Sequence, residues 1–349
     1  MRRLHIDEVT GEMRLAKSIY HNGKLILAEG ADNLEKYKDA LLNCGIFSVY
    51  VEDEFSEHIE INDVITEETR NKCKKVLNNC FKSLKQEGKI NLDKLNETVA
   101  KIIDELFTNK DVMLSMEDIG AKDDVTMIHS VSTAVYAILI GKSLGYDENR
   151  LRKLAEGALF HDVGKVLIDE SILMKKGRLT EEEYEEIKKH PVLGYNIIKD
   201  RTEMSDESKS IVFLHHERLD GSGYPFGLKS NEITESAKIV SVADVYDALT
   251  AERCYRKSFS NFNAYKIMKF DEGVKYDERI FKALFQNVAI YPNGIVVNLS
   301  DGTHGIVKEQ NPKFPFRPLI RVIDDRDKSN LRVYDLDLAN EFGIDILDC

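Results

Sequence analysis

Residues 158–165 read Ala-Leu-Phe-His-Asp-Val-Gly-Lys, and residues 215–225 read His-His-Glu-Arg-Leu-Asp-Gly-Ser-Gly-Tyr-Pro. They belong to a series in which side chains that commonly bind metals recur every 25 to 32 residues, at His129, His161, His190, His215 and Asp244. An interval of that length fits about one or two helices with their turns, so each helix brings one ligand to a common centre, as in metal-binding helical bundles. The spacing predicts a mainly α-helical domain around a metal site.

The donor atoms of this series are imidazole nitrogens and carboxylate oxygens, and Asp162 and His216 extend it to seven residues. Such donors without thiolate suit iron, manganese, zinc or nickel better than calcium or magnesium alone. The stretch around the first histidine has the pattern of a buried helix, because Val131 and Val135 share one face and His129 projects from nearly the opposite face. A buried polar side chain without a partner costs about 1–3 kcal/mol. This histidine is therefore expected to have a polar or metal partner.

Length and composition indicate a folded chain of two or three domains. The 349 residues are 42% hydrophobic and 32% charged, and the net charge of −12 argues against binding to nucleic-acid polymers or to anionic membranes. The five cysteines form no Cys-x-x-Cys pair, so neither a zinc finger nor a disulfide framework is indicated. No signal peptide is evident, and the longest uncharged stretch, from Val125 to Gly141, is shorter than the roughly 20 residues of a membrane span. A cytoplasmic location without membrane insertion is expected.

The hydrophobic pattern divides the chain into four segments. Residues 1–55 have the pattern of a small α+β module, with a hairpin around Asn22-Gly23. Residues 56–115 begin as an acidic linker and continue as a helical support, which either mediates a dimer or packs on the next domain. Residues 116–288 are almost wholly helical and contain the metal-binding series. Residues 289–349 are predicted to form short strands of a small β-rich module.

The motifs as a set resemble the HD-GYP subgroup of the HD-domain phosphohydrolases, over about residues 120–265. The resemblance rests on His161-Asp162-Val-Gly-Lys165, His190-Pro-x-x-Gly194, the stretch at 215–225, and Val242-Ala-Asp-Val-Tyr-Asp-Ala-Leu-Thr250 with Arg253 and Tyr255-Arg256. It implies a mainly α fold, an all-helical HD-type bundle that holds two, sometimes three, metal ions, commonly iron or manganese. It also implies hydrolysis of the bacterial second messenger cyclic di-GMP to linear pGpG, or onward to GMP.

Carried over position by position, the resemblance implies seven metal ligands: His129, His161, Asp162, His190, His215, His216 and Asp244. Asp162 is expected to bridge both ions, because a carboxylate offers two oxygens. Family members with a third metal have a glutamate four residues before the first histidine, and this chain has Val125 there, which cannot ligate. Asp123 and Asp124 lie nearby but point elsewhere on the helix. We therefore expect a binuclear site.

The same resemblance implies substrate contacts. Lys165, one turn beyond Asp162, is expected to clamp the scissile phosphate, which makes these two the candidate catalytic residues. Arg253 and Arg256 resemble the family's contacts to the second phosphate and to guanine, and a planar guanidinium pairs well with phosphate. Asp247 lies on the same helix face as the last ligand and is expected to orient either a ligand or the lysine.

The Gly223-Tyr224-Pro225 segment carries no metal ligand and predicts an irregular loop beside the site. In the family such a loop shapes the surroundings of the site and mediates contact with the cyclases that make cyclic di-GMP. A diguanylate cyclase is therefore a candidate partner of this loop, and a homodimer is a candidate assembly.

The leading hypothesis is hydrolysis of cyclic di-GMP, with a metal-bridging hydroxide as the nucleophile. Two alternatives remain open: an HD phosphohydrolase acting on another nucleotide, or a non-catalytic sensor that binds the messenger. His190, the His215-His216 pair and the two arginines are additions that count against a generic HD enzyme. The complete ligand set and the lysine count against a sensor that has lost activity.

Overall fold

The computed structural model describes residues 1–21, 24–61, 64–87, 92–108, 125–175, 177–251, 258–327 and 329–348. A small amino-terminal sheet, a large set of helices and a carboxy-terminal sheet follow one another along the chain. Within these ranges, every helix is too short or too polar to cross a membrane.

The amino-terminal part is a small α+β unit. Three strands form an antiparallel sheet: β1 (Arg2–His5), β2 (Arg14–Leu15) and β5 (Ser48–Glu52). In this sheet β5 lies between β1 and β2. A separate antiparallel hairpin pairs β3 (Ile19–His21) with β4 (Lys24–Leu27), and α1 (Lys38–Asn43) packs beside the sheet. The predicted hairpin is thus confirmed, whereas its turn residues Asn22 and Gly23 lie outside the described residues.

The middle of the described chain is helical. Its helices are α2 (Glu67–Glu87), α3 (Asp93–Thr108), α4 (Val125–Ser143), α5 (Glu148–Phe160), α6 (Glu170–Leu173), α7 (Glu181–Ile187), α8 (His190–Ile198), α9 (Asp206–Leu214), α10 (Glu235–Thr250), α11 (Asn261–Phe270) and α12 (Glu278–Asn287). One continuous apolar core runs through the longer helices and extends into the carboxy-terminal sheet.

The helix α4 lies at the centre of this core. Every residue from 129 to 141 is buried, because α5, α10 and α12 all pack against α4. A helix that is apolar around its whole circumference is typical of such a central position. The few polar side chains on α4, among them His129, are therefore enclosed by neighbouring helices.

The pair α2 and α3 packs on the helical domain. Cys73 and Leu77 of α2 and Ile102 of α3 belong to the same apolar core as α4 and α5. The Lys142 ammonium of α4 also donates a hydrogen bond to the carbonyl of Leu106, at 2.9 Å. Of the two roles expected for this pair, packing on the next domain is the one that the structure shows.

The chain ends in a five-stranded antiparallel sheet, built from β6 (Val296–Leu299), β7 (His304–Glu309), β8 (Leu319–Asp324), β9 (Arg332–Asp337) and β10 (Ile346–Asp348) in the order β10-β6-β7-β8-β9. The β-rich character was predicted, but β10 was missed because three residues are too few to show an alternating pattern. The segment before α2 is not a free linker, since Ile59 packs against Ile306 and Ile323 of this sheet.

Candidate metal centre

The structure brings together all seven side chains that the sequence marked as metal ligands. His129 lies near the beginning of α4, His161 and Asp162 directly follow α5, His190 begins α8, His215 and His216 directly follow α9, and Asp244 lies within α10. All of them except His216 are buried. Five separate segments of the chain therefore supply donors to one place.

Close backbone packing positions the turn that carries Asp162. A Cβ atom at Gly164 would lie 2.0 Å from the His190 carbonyl oxygen and 2.5 Å from the Gly194 nitrogen, so only glycine fits there. The 3-10 turn at Val163–Leu167 consequently packs directly on α8. This packing places the His190 Nε2 atom 3.3 Å from the Asp162 Oδ1 atom.

The donor atoms form two groups. His129, His161 and Asp244 make one group, while Asp162, His190, His215 and His216 make the other; within each group the donor atoms lie within 4.8 Å of one another. Metal–nitrogen and metal–oxygen bonds of about 2.0–2.2 Å place ligands on opposite sides of one ion about 4 Å apart. Each group is therefore compact enough to hold one ion after small adjustments.

Two carboxylates reach from one group to the other. Asp162 Oδ2 lies 3.5 Å from His161 Nε2, while Asp162 Oδ1 faces the His190 ring of the other group. Asp244 Oδ1 lies 3.0 Å from His129 Nε2, and its Oδ2 lies 3.8 Å from His216 Nδ1. The geometry supports the bridging role expected of Asp162 and gives Asp244 a similar reach.

Three of the imidazole rings are oriented by the backbone of their own helix ends. The Nδ1 atom of His161 donates to the Ala158 carbonyl at 2.7 Å, and that of His190 donates to the Ile187 carbonyl at 2.8 Å. The Nδ1 atom of His215 lies 3.2 Å from the carbonyl oxygen of Ile211 and equally far from that of Val212. A carbonyl oxygen can only accept, so Nδ1 carries the proton and Nε2 presents a lone pair.

These lone pairs point toward one another, which fits a cation. The Nε2 atoms of His190 and His215 are 3.3 Å apart, and two neutral imidazole lone pairs at that distance repel. Within the described residues, the buried atoms Asp162 Oδ1 and His161 Nε2 have no hydrogen-bond partner. Buried polar atoms normally have partners, so the donor set fits a bound divalent ion by both its chemistry and its unsatisfied atoms.

Burial keeps the histidines of the second group neutral. It lowers the pKa of His190 to about 4, although the charge of Asp162 opposes this effect. Burial also holds the pKa values of His215 and His216 well below their ordinary range. Neutral imidazole is the form that binds metals, so these rings are ready to ligate at pH 7.

Contacts with neighbouring side chains outweigh burial in setting the pKa values of Asp162 and His129. Burial by itself raises the pKa of Asp162, but the charge of Lys165 and the contact with His161 outweigh it and hold the pKa well below its ordinary value. Burial disfavours a charged His129 ring, yet hydrogen bonds to Asp244 and Asp247 raise the pKa of His129 to about 10. Without a metal, this ring therefore carries a proton that a bound cation would have to displace.

Two of the remaining predicted site residues, Lys165 and Asp247, lie beside the donor groups. Lys165 Nζ lies 2.5 Å from Asp162 Oδ2, and Asp247 Oδ2 lies 2.6 Å from His129 Nδ1. Of the two targets expected for Asp247, the structure thus shows a ligand histidine. Arg253 and Arg256, the side chain of Val125, and Asp123 and Asp124 lie outside the described residues.

Sequence reasoning missed Glu217, a buried carboxylate next to the ligand pair. Its Oε1 atom accepts a hydrogen bond from the Phe226 N–H at 2.8 Å, and its Oε2 atom accepts one from the Leu228 N–H at 2.9 Å. The available signal was its place directly after the His215-His216 pair.

Two family models match the chain: the HD domain over residues 102–280, and the KOW domain associated with HD domain over residues 296–348. The cyclic di-GMP phosphodiesterase PA4108 of Pseudomonas aeruginosa is 32% identical over 227 residues, which cover 65% of this chain and 55% of that protein. The 3'3'-cGAMP-specific phosphodiesterase 3 of Vibrio cholerae is 33% identical over 175 residues, which cover 50% of this chain and 38% of that protein. The chain thus spans about half, or less, of the length of these relatives.

Among solved structures, the chain is similar in fold to Bd1817, an HDGYP protein of Bdellovibrio bacteriovorus. The TM-score is 0.54 at 18% sequence identity, and the match covers 81% of this chain and 97% of that protein. This likeness confirms the expected fold class. The HD-domain model covers more than half of the chain and confirms the resemblance that the motifs showed, so the chain belongs to the HD domain family.

Proposed function

We propose that this chain is a metal-dependent phosphodiesterase that hydrolyses cyclic dinucleotides, with cyclic di-GMP as the first candidate substrate. The observation that carries the proposal is the convergence of seven imidazole and carboxylate side chains into two adjacent donor groups, with Asp162 facing both. Paired cation sites of this kind stabilise both the attacking and the leaving oxygen of a phosphoryl displacement.

The relatives support the substrate class. The names of the Pseudomonas and Vibrio proteins specify cyclic di-GMP and 3'3'-cGAMP, which are both cyclic dinucleotides. The chain is nearly equally identical to the two, at 32% and 33%. Cyclic GMP-AMP is therefore the second substrate to test. For cyclic di-GMP, the proposed end product of cleavage is linear pGpG or GMP.

We infer two divalent ions, one in each donor group, with Asp162 between them. A nitrogen and oxygen donor set without thiolate suits iron, manganese, zinc or nickel, and the family resemblance favours iron or manganese among these. Ions bound there would supply an activated water at neutral pH and positive charge for the phosphate. A third ion is not expected, because Val125 stands where a third-site glutamate would be needed.

The chain's own residues bind and orient the substrate. The side chain of Lys165 is 29% exposed and forms an ion pair with Asp162. A flexible ammonium at such a rim can move from the carboxylate to an incoming phosphate oxygen and hold the phosphodiester beside the donor groups. Asp247 holds the proton at His129 Nδ1, so this ring presents Nε2 to the first group. Arg253 and Arg256 stay the predicted contacts to the second phosphate and the base.

Two further predictions concern partners. Contact between a diguanylate cyclase and the loop at Gly223-Tyr224-Pro225 follows from the family resemblance, and Phe226, which is 54% exposed beside that loop, would add an apolar contact surface. A homodimer is a candidate assembly.

Anaerobic purification, elemental analysis and chromatography of the reaction products test the function. The wild type is compared with Asp162→Ala, which removes the shared ligand, and with Asp206→Ala, which removes a fully exposed carboxylate at the beginning of α9. We expect the wild type and Asp206→Ala to bind two ions per chain and to cleave cyclic di-GMP. Asp162→Ala should bind less metal, and its turnover of cyclic di-GMP should fall to that of the metal-free protein.

The outcomes distinguish the alternatives. Binding of cyclic di-GMP without turnover at full metal loading would indicate a sensor and overturn the proposal. Cleavage of a nucleotide other than a cyclic dinucleotide, with no activity on cyclic di-GMP or cyclic GMP-AMP, would indicate a generic HD phosphohydrolase.

A further inference from the structure

We propose that Glu217 is a positioning residue that orients the metal ligand His216 through the loop at residues 218–227 and the ring of Tyr224. The inference rests on the proposed metal centre and goes beyond it, because neither the ligand set nor the resemblance assigns a role to Glu217. It concerns how one ligand of the second donor group is held in place.

The ring of His216 is held differently from the other ligand rings. His161, His190 and His215 each donate Nδ1–H to a backbone carbonyl, and His129 is paired with Asp247. The Nδ1 atom of His216 lies 3.8 Å from Asp244 Oδ2, which is too long for a hydrogen bond. Within the described residues, no hydrogen bond orients this ring. It is also the ligand whose side chain keeps the most exposure to solvent, at 16%.

Stacking takes the place of the missing hydrogen bond. The Tyr224 ring lies on the His216 ring with centroids 4.5 Å apart and an angle of 26° between the planes. Offset stacking at this distance is a favourable arrangement of two aromatic rings. The Tyr224 backbone N–H also donates to the His216 carbonyl at 3.2 Å, so the two residues are joined through both backbone and ring. Any displacement of Tyr224 frees the imidazole to rotate.

Glu217 closes the loop that presents Tyr224. Both of its carboxylate oxygens accept backbone N–H groups, from Phe226 and Leu228, at 2.8 and 2.9 Å. These groups lie 9 and 11 residues further along the chain, just beyond the tyrosine. Glu217 is 2% exposed, so both bonds form away from competing water. By accepting through both oxygens, this carboxylate ties residues 226 and 228 back to the turn that carries His216.

A close backbone approach makes the closure tight. A Cβ atom at Gly223 would lie 2.4 Å from the Arg218 nitrogen and 2.5 Å from both the Glu217 Cα and the His216 carbonyl oxygen. The loop therefore returns onto the turn that carries the ligand, with no room for a side chain between them. Glu217 thus holds the carboxy-terminal end of the loop, and Gly223 lets the loop backbone approach the turn that carries the ligand. The Tyr224 ring then packs on the His216 ring.

Metal retention tests this arrangement without relying on turnover. The manganese-loaded protein is dialysed against increasing EDTA concentrations, and manganese per chain is measured for wild type, Tyr224→Leu, Tyr224→Phe and Glu217→Gln. Supports to metal ligands typically change affinity about 10- to 100-fold. We expect Tyr224→Leu to lose one of the two ions at an EDTA concentration at least about tenfold lower than wild type. Glu217→Gln should lose the same ion, and Tyr224→Phe, which keeps the stacking ring, should retain both.

Two matched controls separate positioning from general destabilisation. Glu235→Gln alters a hydrogen-bonded carboxylate at the beginning of α10, away from the loop, and Tyr265→Leu removes an aromatic ring that packs against Phe285. Both should retain two ions. Thermal unfolding of the metal-free variants shows which of them are folded.

A Tyr224→Leu protein that keeps both ions as firmly as wild type overturns the role of Tyr224. Full retention by Glu217→Gln overturns the role of Glu217, and equal losses in the controls overturn specificity for both. A wild type that binds two ions but hydrolyses no cyclic dinucleotide overturns the proposed function alone, because the manganese content after EDTA dialysis still measures how His216 is positioned. A wild type that binds no ion overturns both.

Discussion

His129 Nδ1 lies 2.6 Å from Asp247 Oδ2, although the two residues are 118 positions apart in the chain. The contact joins α4 to α10 in the buried centre of the helical domain and fixes which nitrogen of His129 faces the donor group. A carboxylate behind a ligand histidine also increases the basicity of the ring. The pair therefore connects the packing of the core to the affinity for metal.

Replacement of Asp247 tests this connection. Asp247→Asn keeps the shape of the side chain but removes the charge that polarises His129, and we expect metal affinity to fall about 10- to 100-fold. Titration with manganese, followed by elemental analysis, measures the effect. Asp206→Asn, at a fully exposed position, serves as the control. An unchanged affinity in Asp247→Asn would show that the histidine is oriented by packing alone.

Removal of Lys165 separates substrate binding from metal binding. Lys165→Met should retain both ions but raise KM and lower kcat for cyclic di-GMP, because the phosphodiester loses its cationic contact at the rim. Lys165→Arg should recover part of the loss in KM. The control is Lys282→Met, which removes a lysine that is 61% exposed on α12. Loss of metal from Lys165→Met would instead assign this residue a structural role beside Asp162.

The close approach at Gly164 predicts a large cost for the smallest side chain. In Gly164→Ala the new methyl group would meet the His190 carbonyl oxygen, a backbone atom that cannot rotate away. Overpacking of this kind costs about 1–3 kcal/mol, and the displaced turn should also weaken metal binding. Gly11→Ala is the control, since its Cβ would have no neighbour closer than 3.7 Å. Equal unfolding temperatures for the two variants would contradict the prediction.

The buried carboxyl of Glu156 makes the stability of the folded protein depend on pH. Burial raises the pKa of Glu156 above the ordinary 4.5, which Ser208 and Ser205 offset only in part. A carboxyl with a raised folded-state pKa imposes no penalty below its unfolded pKa, and the penalty grows as the pH rises from there through the folded-state pKa. Glu156→Gln should therefore unfold at a higher temperature than wild type at pH 7.5, and the difference should shrink toward pH 4.5.

Differential scanning calorimetry at several pH values measures this effect. Glu148→Gln replaces an exposed glutamate on the same helix, whose ion pair with Arg152 is worth about 0–1 kcal/mol. Its unfolding temperature should stay close to that of wild type at every pH. A gain in Glu156→Gln that is independent of pH would show that burial of the charge is not its cause.

Much of the fold could be predicted because its signals are local. The hairpin of β3 and β4, the helical middle and four of the five terminal strands each show their own periodicity within about ten residues. The packing of α2 and α3 could not be predicted, since an amphipathic helix pair has the same pattern whether it covers a neighbouring domain or a second subunit. The strand β10 escaped detection because pairing with β6, and not its own three residues, defines it.

The amino-acid sequence by itself determined which donors are available, because imidazole and carboxylate chemistry belongs to the residues and their spacing matches helices with turns. It also determined that Asp162 has two oxygens to share and that Gly164 and Gly223 lack a Cβ. Only the tertiary structure decided which nitrogen of each ring faces inward and how the ligands divide into two groups. It also revealed that Glu217 ties down the loop over His216. Those properties depend on distances between segments far apart in the chain, and such distances exist only once the helices pack.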